Sequence, residues 1–148
     1  MKISNRGLKL IQQFEGFSSH PYLCPALVPT IGYGSTHYSD GRPVKLTDKN
    51  ITKEEATDMM RHQIDIHYGK EVNHFLRHSV TQNQFDVLVS FAYNFGVYAL
   101  RTSTLLRDVN HGKMSLAADQ FKHWTHVNGK VNRGLVARRK KERELFLA

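Results

Sequence analysis

Residues 14–36 read FEGFSSHPYLCPALVPTIGYGST, and the reading of this stretch decides the fold. Before it the pattern is helical. Within it Gly16 stops the helix, and short β-like pieces follow, broken by His20-Pro21, Cys24-Pro25, Pro29, Gly32 and Gly34. The stretch also carries a carboxylate, a thiol and a hydroxyl at fixed spacing: eight residues separate Glu15 from Cys24, and five separate Cys24 from Thr30.

Upstream, Ser4 or Asn5 is a cap for a first helix whose apolar positions Leu8, Ile11 and Phe14 recur at three-residue steps, with Leu10 beside them. Glu15 then stands at that helix's C-terminus. There the macrodipole disfavours an anion, and the flanking Phe14 and Phe17 make an apolar setting, so its carboxyl pKa is expected to rise. Downstream, the pieces near Tyr22-Leu23, Pro29 to Tyr33 and Arg42 to Val44 predict a small antiparallel sheet, with Asp40-Gly41 as a turn. Three short strands cannot stand alone and must lean on helices.

Those helices come next. Thr52-Lys53-Glu54-Glu55 is a capping box that starts a long helix toward Phe75-Leu76, with a possible break at Gly69. Thr81-Gln82-Asn83-Gln84 is a second capping box. After it Phe85, Val87, Leu88, Val89, Phe91, Ala92, Tyr93 and Phe95 leave almost no polar face, which marks the buried central helix, closed by Gly96. Shorter helices are expected from Ser103 to Asn110 and from Ser115 through Trp124, then a turn at Asn128-Gly129. The chain closes with a basic amphipathic helix, Leu135 to Leu147.

The 148 residues fit one domain, and a net charge of +8 calls for a polyanionic partner: nucleic acid, anionic lipid or anionic wall polymer. A single cysteine and the absence of an apolar run in Met1 to Arg6 predict a soluble protein made in a reducing cytoplasm. The basic residues are spread, and no nucleic-acid motif is present, so nucleic acid is not the expected partner. His74 with His78 and His123 with His126 have helical spacing but no acidic or thiol ligand in a metal-binding pattern, so no metal and no cofactor are expected.

Each chemical group has a plain alternative. Glu15 reads as a solvated helix-end glutamate or as an acid for glycosidic oxygen. Cys24 reads as a small buried hydrophobe or, in its turn-rich setting, as a partly exposed thiol. Thr30 reads as an ordinary strand residue, and Gly32 and Gly34 as turn glycines or as places where a sugar ring comes close.

Taken jointly, the spacing of Glu15, Cys24 and Thr30 resembles the signature of phage-type lysozymes, the endolysins of glycoside hydrolase family 24. The likeness extends to Thr30-Ile31-Gly32-Tyr33-Gly34, to Val80 through Asp86, to Ser90-Phe91-Ala92-Tyr93-Asn94-Phe95-Gly96, to Ser103-Thr104-Leu105-Leu106, and to Gly129 through Arg143.

The resemblance implies a lysozyme-like α+β fold in one catalytic domain, residues 1–148. A small antiparallel-sheet lobe (about 14–55) and a larger helical lobe (1–13 and 77–148) would be joined by the 52–76 helix. It implies a peptidoglycan hydrolase that cleaves the β-1,4 bond between N-acetylmuramic acid and N-acetylglucosamine during host lysis. Glu15 would be the general acid, Cys24 the second catalytic group in place of the commoner aspartate, and Thr30 the holder of water. Gly32, Tyr33, Thr36, Tyr93, Phe95, Ser103 and Thr104 would contact substrate.

Such a protein would act as a monomer on the bacterial wall after holin-mediated release. Two other readings stay open. One is a cationic protein that permeabilises membranes or contacts lipopolysaccharide through Arg138, Arg139, Lys140, Lys141 and Arg143. The other is a lytic transglycosylase, which one acid without a second carboxylate also supports. Arg138 or Arg139 is in addition a candidate ion-pair partner for Glu15.

Overall fold

The computed structural model describes residues 1–148 and contains eight α-helices and two small antiparallel hairpins. Helix α1 spans Asn5–Glu15 and is capped by the Ser4 side chain, which accepts from the Gly7 amide. The same Ser4 bonds through its amide and hydroxyl to Asp86, a fully buried carboxylate on the central helix. A Cβ at Gly7 would stand 2.6 Å from Asp86 Cγ, so glycine here is what lets α1 close onto the helical body. Gly16, at φ 67°, ends α1 one residue after Glu15.

Strands β1 (Ser18–Leu23) and β2 (Pro29–Gly32) form the first hairpin, with Tyr22 opposite Thr30 and Leu23 opposite Pro29. The third strand expected at Arg42 to Val44 does not form. His37 and Pro43 make one isolated bridge, and the loop is tied instead by Tyr38 Oη donating to Asp48 at 2.8 Å. Proline at position 43 withholds one of the amide donors that a continued ladder needs. Ile31, Val44 and Met59 pack under this hairpin as a small cluster separate from the main core.

The capping box at Thr52 and Glu55 starts α2 (Lys53–Gln63). No break occurs at Gly69: the helix passes through a π-turn, Ile64–Tyr68, into α3 (Gly69–Phe75). The Gly69 amide bonds Ile64 O, and a Cβ there would sit 3.1 Å from that carbonyl, so glycine relieves the wide turn rather than ending the helix.

Helix α4 (Gln82–Phe95) starts on the second capping box, and every residue from Phe85 to Ala92 is buried. Each large apolar side chain there contributes about 1.5–3 kcal/mol. Helix α5 (Val97–Arg101) follows Gly96 directly and was not foreseen from the pattern. Helix α6 (Thr104–Asn110) is capped by Ser103, and α7 (Met114–Gln120) ends earlier than expected, in a 3-10 turn at Phe121–His123. Trp124 lies beyond it and sets its ring edge-on against Phe91 at 4.9 Å. Asn128 and Gly129, both at positive φ, form the turn of a second hairpin between β3 (His126–Val127) and β4 (Lys130–Val131). Helix α8 (Arg133–Leu147), capped by Asn132, packs along α4 and α1.

Candidate active site

Helix α1 delivers Glu15 to the junction of the first hairpin with α4 and α8. Its side chain is 23% exposed, and Oε1 accepts from Arg138 Nη1 at 2.6 Å. Arg138, on α8 and only 4% exposed, is anchored in turn: Nη2 donates to Ser90 O at 3.2 Å and to Ser90 Oγ at 3.4 Å, and its guanidinium lies over the Phe14 ring. Of the two arginines foreseen as partners, Arg138 takes this role. The setting of Glu15 is therefore an ion pair at an apolar rim, not the wholly apolar one that Phe14 and Phe17 suggested. No protein donor meets Oε2.

Cys24 follows β1 and begins the turn of the hairpin, where Leu27 N donates to Cys24 O at 2.8 Å. It is half-buried, so the expectation of a partly exposed thiol holds. The Val28 backbone pulls its pKa below the ordinary thiol value, with smaller help from Ala26 and the Thr30 hydroxyl, against the opposing effect of burial. Thr30, across the hairpin on β2, is buried, and its Oγ1 donates to Val28 O at 2.8 Å. Leu27 at the tip holds φ 60° while 75% exposed, an uncommon conformation for leucine.

A tyrosine wall completes the site. Tyr93 Oη donates to Tyr33 O at 2.8 Å, which ties α4 to the end of β2, and the Tyr93 ring packs on Tyr68 at 5.0 Å. Burial, followed by the nearby Glu15 carboxylate, pushes both phenols above their ordinary value. Tyr68 was not singled out in the sequence; the π-turn that brings it here left no signal in the apolar spacing. Tyr33 is buried, with its ring against Phe17.

The other expected contacts divide. Gly32 does not face an open cleft: a Cβ there would stand 3.0 Å from Ala56 Cβ, so this glycine serves close packing on α2. Gly34 has the open space instead and lies near Tyr93 Oη. Thr36 pairs with the His37 ring at 3.0 Å. Phe95 packs on Phe91 and Trp124 and carries the Arg139 guanidinium at 4.9 Å. Ser103 is buried, and its hydroxyl is occupied, accepting from Leu106 N and donating to Leu100 O, whereas Thr104 is exposed.

The basic surface expected on α8 is corrected. Arg138 and Arg139 are 3% and 2% exposed and point into the protein. Lys140, Lys141 and Arg143 are exposed, and Arg143 reaches Asp119 at 3.5 Å. No helix is long and apolar enough to cross a membrane.

The family model described as phage lysozyme matches residues 12–142. The chain is 46% identical to the endolysin of Bacillus phage PZA over 99% of its own length, but spans only 55% of that protein. It superposes on P22 lysozyme with a TM-score of 0.90 at 31% identity, covering 100% of this chain and 99% of that one. The muramidase domain of SpmX from Asticaccaulis excentricus gives a TM-score of 0.85 at 36% identity, with coverage of 99% and 98%. With the match running from the end of α1 at Glu15 through the hairpin that carries Cys24 and Thr30 and on into α8, the chain belongs to the phage lysozyme family.

Proposed function

We propose that the chain is an endolysin that hydrolyses the β-1,4 bond between N-acetylmuramic acid and N-acetylglucosamine in peptidoglycan. The observation that carries this is Glu15, placed at the mouth of the hairpin with one oxygen held by Arg138 and the other free. Glycoside hydrolysis needs an acid for the leaving oxygen and a second group for water.

Protonated Glu15 gives its proton from Oε2 to the glycosidic oxygen as the C–O bond breaks. The Thr30 hydroxyl, whose hydrogen is committed to Val28 O, accepts a hydrogen bond from the attacking water. The Cys24 thiolate, favoured by the Val28 backbone, takes the water's proton as its oxygen bonds the anomeric carbon. The products are a reducing N-acetylmuramic acid end and a free N-acetylglucosamine hydroxyl. Proton exchange with solvent then restores Glu15 and Cys24. With water attacking opposite the leaving oxygen, the anomeric configuration inverts.

The protein acts as a monomer on the wall, after synthesis in the host cytoplasm and holin-mediated release. Its exposed cations, Lys140, Lys141 and Arg143 among them, favour approach to the anionic wall. Burial of Arg138 and Arg139 removes support for killing through α8 alone.

Turbidity loss of purified walls tests the reading. Glu15→Gln should lose at least about a hundredfold in rate, the usual weight of a general acid. Full activity of that variant would sink the proposal, and a 1,6-anhydro end in the product mass spectrum would replace hydrolysis by transglycosylation.

A further inference from the structure

Behind Arg138 lies a second buried charge pair that the reaction does not use. Glu142 on α8 is 0% exposed, with Oε1 2.5 Å from Arg139 Nη2, and Arg139 is itself 2% exposed. Neither Glu142 oxygen and none of the Arg139 nitrogens has a partner in full hydrogen-bond geometry. Arg139 is held by the charge of Glu142 and by the faces of Phe91 and Phe95, at 5.3 and 4.9 Å. Placing charges this deep costs several kcal/mol per ion. A pair of that kind calls for an account beyond stability.

The account lies in its connection to Glu15. Ser90 Oγ accepts from Arg138 Nη2 at 3.4 Å, so Arg138 is held on the same face of α8 from which Arg139 meets Glu142, and burial pushes the Glu142 carboxyl above the usual carboxylate range against the opposing pull of Arg139 and then Arg138. Four charges, two of each sign, thus share one interior: Glu15 with Arg138 and Glu142 with Arg139. Arg138 and Arg139 are neighbours in sequence, and burial, with the charge of Arg138 adding to it, disfavours the charged form of Arg139 against the pull of Glu142.

We propose that Glu142 is a positioning residue for the acid: by neutralising Arg139, it keeps Arg138 as the single guanidinium acting on Glu15. The proposal rests on the acid role of Glu15 given above. Without Glu142, two buried guanidinium charges would face one carboxylate, and Glu15 would give up its proton too readily to act as an acid. Without Arg139, the orphaned Glu142 carboxylate would draw Arg138 away, and Glu15 would hold its proton to higher pH. Glu15 also acts on the phenols of Tyr68 and Tyr93, both shifted upward and so neutral through this range, and the other titrating group of the site is the Cys24 thiol.

The experiment is the pH profile of wall hydrolysis for wild type, Glu142→Gln, Arg139→Met and the double variant, with an NMR titration of the Glu15 carboxyl in each. Glu142→Gln should move the Glu15 titration, and the limb of the profile that follows it, down by about one pH unit, and Arg139→Met should move both up by a similar amount, the scale of a nearby charge. The double variant should return to the wild-type profile. A merely structural pair would lower the melting temperature without shifts of opposite sign. Coincident profiles for the soluble variants would overturn the proposal. If one single variant fails to fold, the other single and the double still decide it, since a double variant that stays shifted also refutes the charge balance. A wild type without turnover would remove the hydrolase reading, while the NMR titration would still test the positioning.

Discussion

Gly7→Ala gives a stability change whose sign separates local propensity from packing. Within a helix this substitution ordinarily stabilises by about 1 kcal/mol. Here the added Cβ would stand 2.6 Å from Asp86 Cγ, 2.8 Å from Asp86 Cβ and 2.8 Å from Ile3 Cγ1. Asp86 is 0% exposed and cannot swing aside, because it holds the amide and hydroxyl of Ser4 and accepts from Gln82 Nε2 at 2.8 Å. Relief must come from lifting α1, which weakens hydrogen bonds to a charged group worth about 1.5–3 kcal/mol each. Set against the propensity gain, the net is a destabilisation of about 2 kcal/mol. For a chain of this size that lowers Tm by roughly 4–8 °C.

The measurement is thermal unfolding followed by far-ultraviolet circular dichroism, with wall turbidity alongside. Because α1 ends on Glu15, a lifted helix also displaces the proposed acid, and misplacement by about 1 Å can cost a hundredfold in rate. An unchanged or raised Tm would refute the claim that close approach to Asp86 is why glycine stands at position 7.

Three further outcomes are expected. Cys24→Ala should lose about a hundredfold in wall hydrolysis while Cys24→Asp stays active, and thiol alkylation should mimic the alanine variant; unimpaired Cys24→Ala would make the thiol a bystander. The same thiol should react with a neutral alkylating agent at lower pH than a free cysteine, since its pKa is held down chiefly by the Val28 backbone; a reactivity midpoint at or above that of free cysteine would contradict this. The tie between Tyr38 and Asp48 should limit stability at both ends of the pH scale. Burial and Asp48 push the Tyr38 phenol up to about 12, so its contribution is full below about 10 and is lost as pH rises toward 12. Asp48 lies below the usual carboxylate range because of the Lys45 amide and then the Tyr38 hydroxyl, so its contribution is present above about pH 4 and lost as pH falls. Tyr38→Phe should flatten the alkaline loss in thermal melts, and an unchanged alkaline limb would count against the tie.

The elements that sequence disclosed were those with local causes. Ser4, Thr52 and Thr81 cap their helices as hydroxyl chemistry and spacing require, and the apolar residues that recur all round the helix from Phe85, interrupted only by Asp86, Ser90 and Asn94, left α4 almost no face to expose. The misreadings came from tertiary effects. Arg42 to Val44 looked like a strand, but Pro43 and the Tyr38 to Asp48 bond shape it as a loop. The long helix runs on to Phe75 as expected, but Gly69 looked like a possible break in it because a π-turn has no signature in apolar spacing, and that same turn hid Tyr68. Gly32 looked like room for a sugar ring because sequence does not reveal that Ala56 occupies the space.

The costliest misreading fell on α8, and its cause is general. Arginine is almost never fully buried, so Arg138 and Arg139 read with Lys140, Lys141 and Arg143 as one basic surface, even though one of the two was also a candidate partner for Glu15, and Glu142 drew no notice. The exception arises because each of these charges finds an opposite charge across a turn or across a helix: Arg139 finds Glu142 three residues on, and Arg138 finds Glu15 at the far end of the chain. The second of these pairs depends on α1 and α8 both lying against α4. The packed structure turns part of an apparent surface charge run into the support of Glu15, the proposed acid. That support also explains how a single small hairpin can present its candidate groups: its turn carries Cys24 and its second strand Thr30, while the position of Glu15 is set from the opposite side by the helical body.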